Sequence, residues 1–305
     1  MNVALHAIRV FMSIAIWLLM APLVPGVINR VKAWIAGRKG PPIFQLYFDL
    51  ARLWRKGIVL STAVSPGHVV GPAVALVSLV GASLLLPVGR IGAPIAFEGD
   101  AVLFVYLMAL ARFSMSYAAL DTGSAFEGMG AAREVSFAVL AEIAVMTALL
   151  VLSVKTGSVS LTKMLAPAAG PGTALLAAGL YMVLLAENCR VPFDDPNTHL
   201  ELTMIHEVMV LDHSGPPLAM ILHGAALKLS IFCVLLTEAV VPLGGLSPVV
   251  VAATLLGGVL VTAVGVGVVE SMQARLPFRR VPMLLTTAFL LCLFALMIAW
   301  EGSPR

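Results

Sequence analysis

Residues 186–216 read AENCRVPFDDPNTHLELTMIHEVMVLDHSGP and hold Glu187, Asp194, Asp195, Glu201, Glu207 and Asp212 together with His199, His206 and His213. Carboxylates and imidazoles gathered this closely do proton chemistry or hold cations, because each takes up a proton or offers a lone pair. The three histidines are seven residues apart. On an unbroken helix, neighbours would lie about 10 Å from one another, too far for one shared metal. His206-Glu207 opens a zinc-protease pattern, but that pattern needs histidine at position 210, which is Val210. Asp195-Pro196 reads as an N-cap followed by a first-turn proline, and Thr198 with Glu201 offers a second capping box, so a helix is predicted over 197–211. The chain carries no nucleophilic triad, phosphate loop or nucleotide fingerprint, and no redox cofactor motif of its own.

Arg112, Glu142 and Lys228 interrupt long apolar runs. Each costs about 2.5–3.5 kcal/mol at the centre of a membrane helix, so each should face a bundle interior and find a partner. Glu142 with either base is the expected pair, serving as a packing anchor or as a proton-relay site. Glu134 lies eight residues before Glu142, about 12 Å along the axis and turned by roughly 80°. The two cannot chelate one ion but suit successive stations linked by water. His223 and Glu238 flank Lys228 and extend the polar line.

These residues sit in a chain of 305 residues that is 60% hydrophobic and 11% charged, against about 25% charged in soluble domains. The implied solvent is lipid. Apolar runs near 10–28, 69–88, 101–119, 135–154, 173–187, 217–240, 247–269 and 282–300 each approach the ~20 residues a span needs. An all-α, polytopic membrane protein of about eight transmembrane helices in one domain, 1–305, is predicted. The first run has no convincing cleavage site and reads as a retained span. Cys189, Cys233 and Cys292 form no ligand spacing and read as small buried hydrophobes. A net charge of +3 is too small to imply nucleic acid, and no internal repeat supports a secondary transporter.

The connections 29–68, 120–134, 188–216 and 270–281 carry twelve Lys and Arg, and the opposite side carries five. The positive-inside rule assigns the first group to the cytoplasm and both termini to the outside. Eleven of the sixteen carboxylates fall on that same side. Acids contribute little to insertion, so their crowding has another cause; Glu134, Glu187 and Glu270 in particular sit at span ends. After Pro41-Pro42, Ile43, Leu46, Tyr47, Leu50, Leu53 and Trp54 recur at helical spacing, with Arg52, Arg55 and Lys56 off the stripe. A basic amphipathic helix of this kind lies in the membrane interface or packs against the bundle.

The run AENCRVPFDDPNTHLELTMIHEVMVLDHSGP, with LDTGSAFEGMGAAREVSFAVLAE at 120–142, GPPIFQLYFDLARLWRK at 40–56 and VESMQARLPFRRVP at 269–282, resembles the membrane subunit 1 family of respiratory complex I. Within it, the likeness is to the branch found in formate hydrogenlyase and hydrogenase-4 type complexes. The stretches RLPFRRVPMLL and HEVMVLDHSG depart from the complex I patterns and favour the hydrogenase branch over quinone binding. The resemblance implies an all-helical membrane-arm subunit without cofactors, docked to a peripheral arm with iron–sulfur clusters and a nickel–iron centre. The partners implied are the hydrogenase small and large subunits, antiporter-like membrane subunits and the lipid bilayer of the cytoplasmic (inner) membrane.

By the same resemblance, Glu134, Glu142, Glu187, Glu201 and Glu207 line a carboxylate passage. Arg190, Pro192, Phe193 and Asp194 match the cytoplasmic loop, which with Asp195 and His206 would meet the arm. Together with Lys228 and Arg112, the five glutamates are the expected proton relay. Glu127 stands where a small residue is expected, and no role follows for it. The alternative is a quinone-binding subunit of an NADH:quinone oxidoreductase-like complex; a passive anchor and a free-standing transporter are the further rivals. Reporter labels fused at the two termini should both read out on the outer side of the membrane; a cytoplasmic signal from either would overturn the charge-based orientation.

Overall fold

Backbone N–H and C=O groups have no water to bond in hydrocarbon, so a lipid-embedded chain of this composition must satisfy them within helices. The computed structural model describes residues 3–89, 92–165, 170–194, 204–243 and 246–302. Its α-helices are α1 (Val3–Met20), α2 (Leu23–Ile35), α3 (Gln45–Trp54), α4 (Pro66–Leu85), α5 (Asp100–Asp121), α6 (Ala125–Thr156), α7 (Leu161–Met164), α8 (Thr173–Glu187), α9 (Gly215–Val240), α10 (Pro248–Met272) and α11 (Val281–Glu301). Seven runs are long and apolar enough to cross a membrane.

Three of the expected spans differ from the prediction in an informative way. The first crossing extends over Ala4–Ile35 and is interrupted at Ala21-Pro22, because proline has no N–H to continue the ladder. The fourth begins at Ala125 and runs 32 residues, about 48 Å, so Glu134 lies within a continuous helix and not at its end. The fifth, α8, has only 15 residues, about 22 Å. Its last residue, Glu187, meets Lys228 near the middle of α9. The helix therefore stops inside the bundle, where its end opens on a polar site.

Small residues let the long helices approach. Gly71 of α4 faces α5 so closely that an added Cβ would lie 2.7 Å from both the Ala118 Cβ and the Ser114 carbonyl oxygen. Gly179 of α8 likewise abuts Cys292 of α11, and Gly267 of α10 abuts Val31 of α2. The basic helix α3 docks through Leu50 and Leu53 on Ala219 of α9, while Phe48 and Trp54 remain exposed. It is thus braced against the bundle on one side and apolar on the other.

At one end of the bundle, hydrogen bonds join Ser214 to Val59, Ser65 to Asp121, Asp212 to Glu127 and Leu276 to Pro192. The four connections grouped from the sequence thus share an end. Glu127, unexplained by sequence, accepts the Asp212 N–H at 3.1 Å and ties the start of α6 to the strap before α9.

The helix expected over 197–211 is not formed in its described part. Residues 195–203 lie outside the described residues; beyond them the chain makes a turn and a 3-10 helix, Glu207–Val210. Val208, Met209 and Val210 are all buried, three successive residues that one stripe of an amphipathic helix would not hide together. The Asp194 carboxylate accepts the N–H groups of Ile205 and His206, each at 3.0 Å, turning the chain there.

Gly71→Val should force α4 and α5 apart, at the ~1–3 kcal/mol typical of overpacking. A thermal melt in detergent should show the loss, whereas Gly257→Ala, with no heavy atom within 4 Å of the added Cβ, should not.

Candidate functional site

Arg112 projects from α5 into the space between α6, α8 and α9. Its guanidinium donates to Glu187 at 2.6 and 2.7 Å and to Glu142, and its Nε lies 3.8 Å from Glu134. Lys228 of α9 completes the cluster at 2.8 Å from the second Glu187 oxygen. Five charges from four helices are therefore joined, three carboxylates against two cations. The side chains of Arg112 and Glu187 are 8% and 3% exposed; Glu142 is 36% exposed, among the outward-facing Val139, Ile143 and Met146.

The expected pairing of Glu142 with a base is present, and Arg112 is that base. Lys228 instead serves Glu187. Glu134 and Glu142 do share one cation, although their separation along α6 excludes a shared point ion: the guanidinium fork directs its donors to separate places. His223 and Glu238 do not extend this cluster. His223 is bonded to the Leu18 carbonyl, and Glu238 accepts the Gly89 N–H toward the opposite end.

A cavity of about 250 Å³ opens beside the cluster. Its lining combines Arg112, Glu134, Glu187, Glu207 and Lys228 with Leu46, Leu79, Met115, Leu218 and Leu222, and includes Glu187, Asn188 and Cys189 at the C-terminal stop of α8.

The loop after α8 is built around two further ion pairs. Glu270 receives Lys32 at 2.7 Å and Arg190 at 3.3 Å. Asp194 is 2.9 Å from Arg275 while holding the two backbone N–H groups of the following turn. Pro192, Phe193 and Asp194 are buried within the chain. They hold the loop down, and Arg190 and His206 are half-buried on the cavity wall. Asp195 and Glu201 lie outside the described residues.

Two groupings escaped sequence reading. Cys189, at a left-handed φ of 50°, sits on the cavity wall with Glu134 and His206. His68 and His213 stack at 3.9 Å between ring centroids; burial and the neighbouring His68 push His213 down to about 4, so it is neutral at pH 7. Glu134 is 55 residues from Cys189 and His68 is far from His213 in sequence, and no local spacing announces either grouping.

A multi-pass helical bundle with a buried cluster of charges at the inner end of a shortened helix defines a membrane subunit built around intramembrane ions. Comparison with known proteins agrees: the profile of the NADH dehydrogenase family matches residues 8–301, and the chain belongs to that family. Hydrogenase-4 component C of Escherichia coli (strain K12) is 31% identical over 237 residues, 75% of this chain and 73% of that protein. Formate hydrogenlyase subunit 4 of the same organism is 32% identical over 143 residues, 47% of each. A chain in the solved structure of the membrane-bound sulfane sulfur reductase, an archaeal respiratory membrane complex, superposes with a TM-score of 0.84. At 20% identity, over 96% of this chain and 99% of that one, it is a likeness of fold.

Glu187→Gln removes the charge shared by Arg112 and Lys228, and breaking such a buried pair costs about 3–5 kcal/mol. The expected result is a lower unfolding temperature of the solubilised protein. Adding Lys228→Met should recover part of the loss, because Arg112 keeps Glu142; no recovery would mean that the cations are not coupled through Glu187.

Proposed function

We propose that the chain is the membrane-anchor and ion-translocation coupling subunit of a membrane-bound nickel–iron hydrogenase or formate hydrogenlyase-type complex. The observation that carries this reading is the five-charge cluster, in which three carboxylates face two cations inside the bundle. One further positive charge balances it, and in a low-dielectric interior a proton shared among coupled carboxylates supplies that charge. Arg112 sets which carboxylates are held as anions, and a change of charge nearby redistributes the proton.

Glu142 gives this path an outlet. Its side chain is more than a third exposed on an otherwise apolar face, where a carboxylate against lipid is costly. A neighbouring antiporter-like membrane subunit covering that face would receive the proton. The loop around Arg190, with Asp195 and Glu201, lies under the peripheral arm made of the hydrogenase small and large subunits. Those subunits carry the iron–sulfur clusters and the nickel–iron centre; this chain holds neither. The complex sits in the cytoplasmic membrane, with both termini outside. The names of the two Escherichia coli relatives support the hydrogenase branch.

The apolar wall of the cavity favours a second reading, a quinone-binding subunit of an NADH:quinone oxidoreductase-like complex, since an amphiphile with a polar head fits such a lining. Purification of the intact complex separates the two: nickel in the preparation selects the first, and a flavin-bearing arm selects the second.

Glu142→Gln keeps the shape of the side chain and removes its charge. In sealed vesicles it should leave hydrogen-linked electron transfer in place and lower coupled ion movement by at least ~10-fold, as for loss of a proton-transfer group. Glu142→Asp should restore part of it. Unimpaired ion movement in Glu142→Gln would make the residue a packing anchor only.

A further inference from the structure

We propose that Glu134, Cys189 and His206 form a binding site for one thiophilic divalent cation of the zinc class on the cavity wall. One ligand atom from each, a carboxylate oxygen, the thiol sulfur and a ring nitrogen, lies within 4.8 Å of the other two. They come from α6, the residue pair after α8 and the turn before the 3-10 helix, three segments that only the folded chain brings together. A tetrahedral zinc centre, with metal–ligand distances of about 2.0–2.3 Å, places its ligand atoms roughly 3.5 Å apart. Closing the present triangle needs side-chain movements of about an ångström. The fourth position faces the cavity, where water or another small ligand completes the shell.

Three observations point to a cation here and not to a chance meeting of polar groups. The His206 Nδ1 is buried and has no hydrogen-bond partner, a state that costs free energy until a donor or metal meets it. The backbone of His206 is also fixed, its main-chain N–H donating to the buried Asp194 carboxylate at 3.0 Å, which holds the residue at the cavity wall. Cys189 adopts a left-handed backbone without being glycine, at a cost of about 1–2 kcal/mol. That conformation points its thiol at Glu134, with Sγ 3.8 Å from Oε2.

Charge also favours the choice of metal. The Cys189 thiol binds such an ion as its thiolate and gives up its S–H proton. As the metal–sulfur bond forms, that proton leaves to water in the cavity. A dication with one thiolate, one carboxylate and one neutral imidazole makes an uncharged centre. Glu134 keeps its other oxygen toward Arg112, 3.8 Å away. Arg112 and Lys228 then face Glu142 and Glu187, two cations against two carboxylates. Sulfur and nitrogen ligands select zinc-class ions over magnesium and calcium, which demand oxygen shells. Because it engages Glu134, an occupied site withdraws one carboxylate from the buried cluster. The site itself stands whether or not that cluster moves protons.

The test uses the intact membrane complex containing the full chain, stripped with chelator and then given Zn²⁺ alone. Zn²⁺ should slow maleimide labelling of Cys189 strongly, and Mg²⁺ should not. The zinc K-edge of the loaded protein should contain one sulfur neighbour per chain that is missing in Cys189→Ser. Cys189→Ser and His206→Gln should each weaken Zn²⁺ binding at least ~10-fold, the lower bound even for loss of an outer-shell partner, whereas Cys233→Ser should not. Equal protection by Mg²⁺, or absence of a Cys189-dependent sulfur neighbour, would overturn the proposal. Should the variants fail to assemble, labelling protection in the unaltered protein decides alone.

Discussion

A guanidinium within a membrane helix must be met by carboxylates or it cannot stay there. Arg112 is met by three, from two other helices, and Lys228 is drawn in through Glu187. The consequence is geometric. The middle of α5, the stretch of α6 from Glu134 to Glu142, the end of α8 and the middle of α9 must converge on one point. Apolar side chains pack in many registers against lipid-like neighbours, but the charges accept one. The close helix pairs formed through Gly71, Gly179 and Gly267 then supply van der Waals contact around a core whose register the ions have set.

The shortness of α8 follows from the same constraint. Its last residue, Glu187, has its carboxylate committed to both Arg112 and Lys228. The chain leaves the helix at Asn188 and Cys189, turns, and is pinned by Arg190 to Glu270 and by Asp194 to Arg275. The cavity beside it is lined by charged residues and leucines. Non-helical backbone at such depth is tolerated only where it is buried in protein or lines a cavity, and here both conditions hold.

Around this centre, other buried acids each hold a backbone N–H through one carboxylate oxygen. Asp100 takes the Leu161 N–H and the Ser160 hydroxyl, Glu238 takes the Gly89 N–H, and Glu127 takes the Asp212 N–H. Each fastens a connection to a helix end. Among the described residues, the Arg112 cluster joins the most ionisable groups, five against the three of Lys32, Glu270 and Arg190.

Composition and the spacing of apolar residues were enough to read a lipid-embedded, all-helical chain, the placement of most crossings, the apolar stripe with Leu46, Leu50 and Leu53, and the need for Arg112, Glu142 and Lys228 to find partners. Those properties depend on hydrophobic run length and on the cost of isolated charge, both local to the sequence. The family was legible too, in motifs such as AENCRVPFDDP. What sequence left open was which base meets which acid, where α8 stops, and that Cys189 shares a wall with Glu134 and His206. It also wrongly continued a helix into 204–211, where Asp194 caps the chain and three successive apolar residues are all buried. Pairing and burial of this kind depend on distances between segments far apart in the chain, and the register of packed helices alone decides those distances.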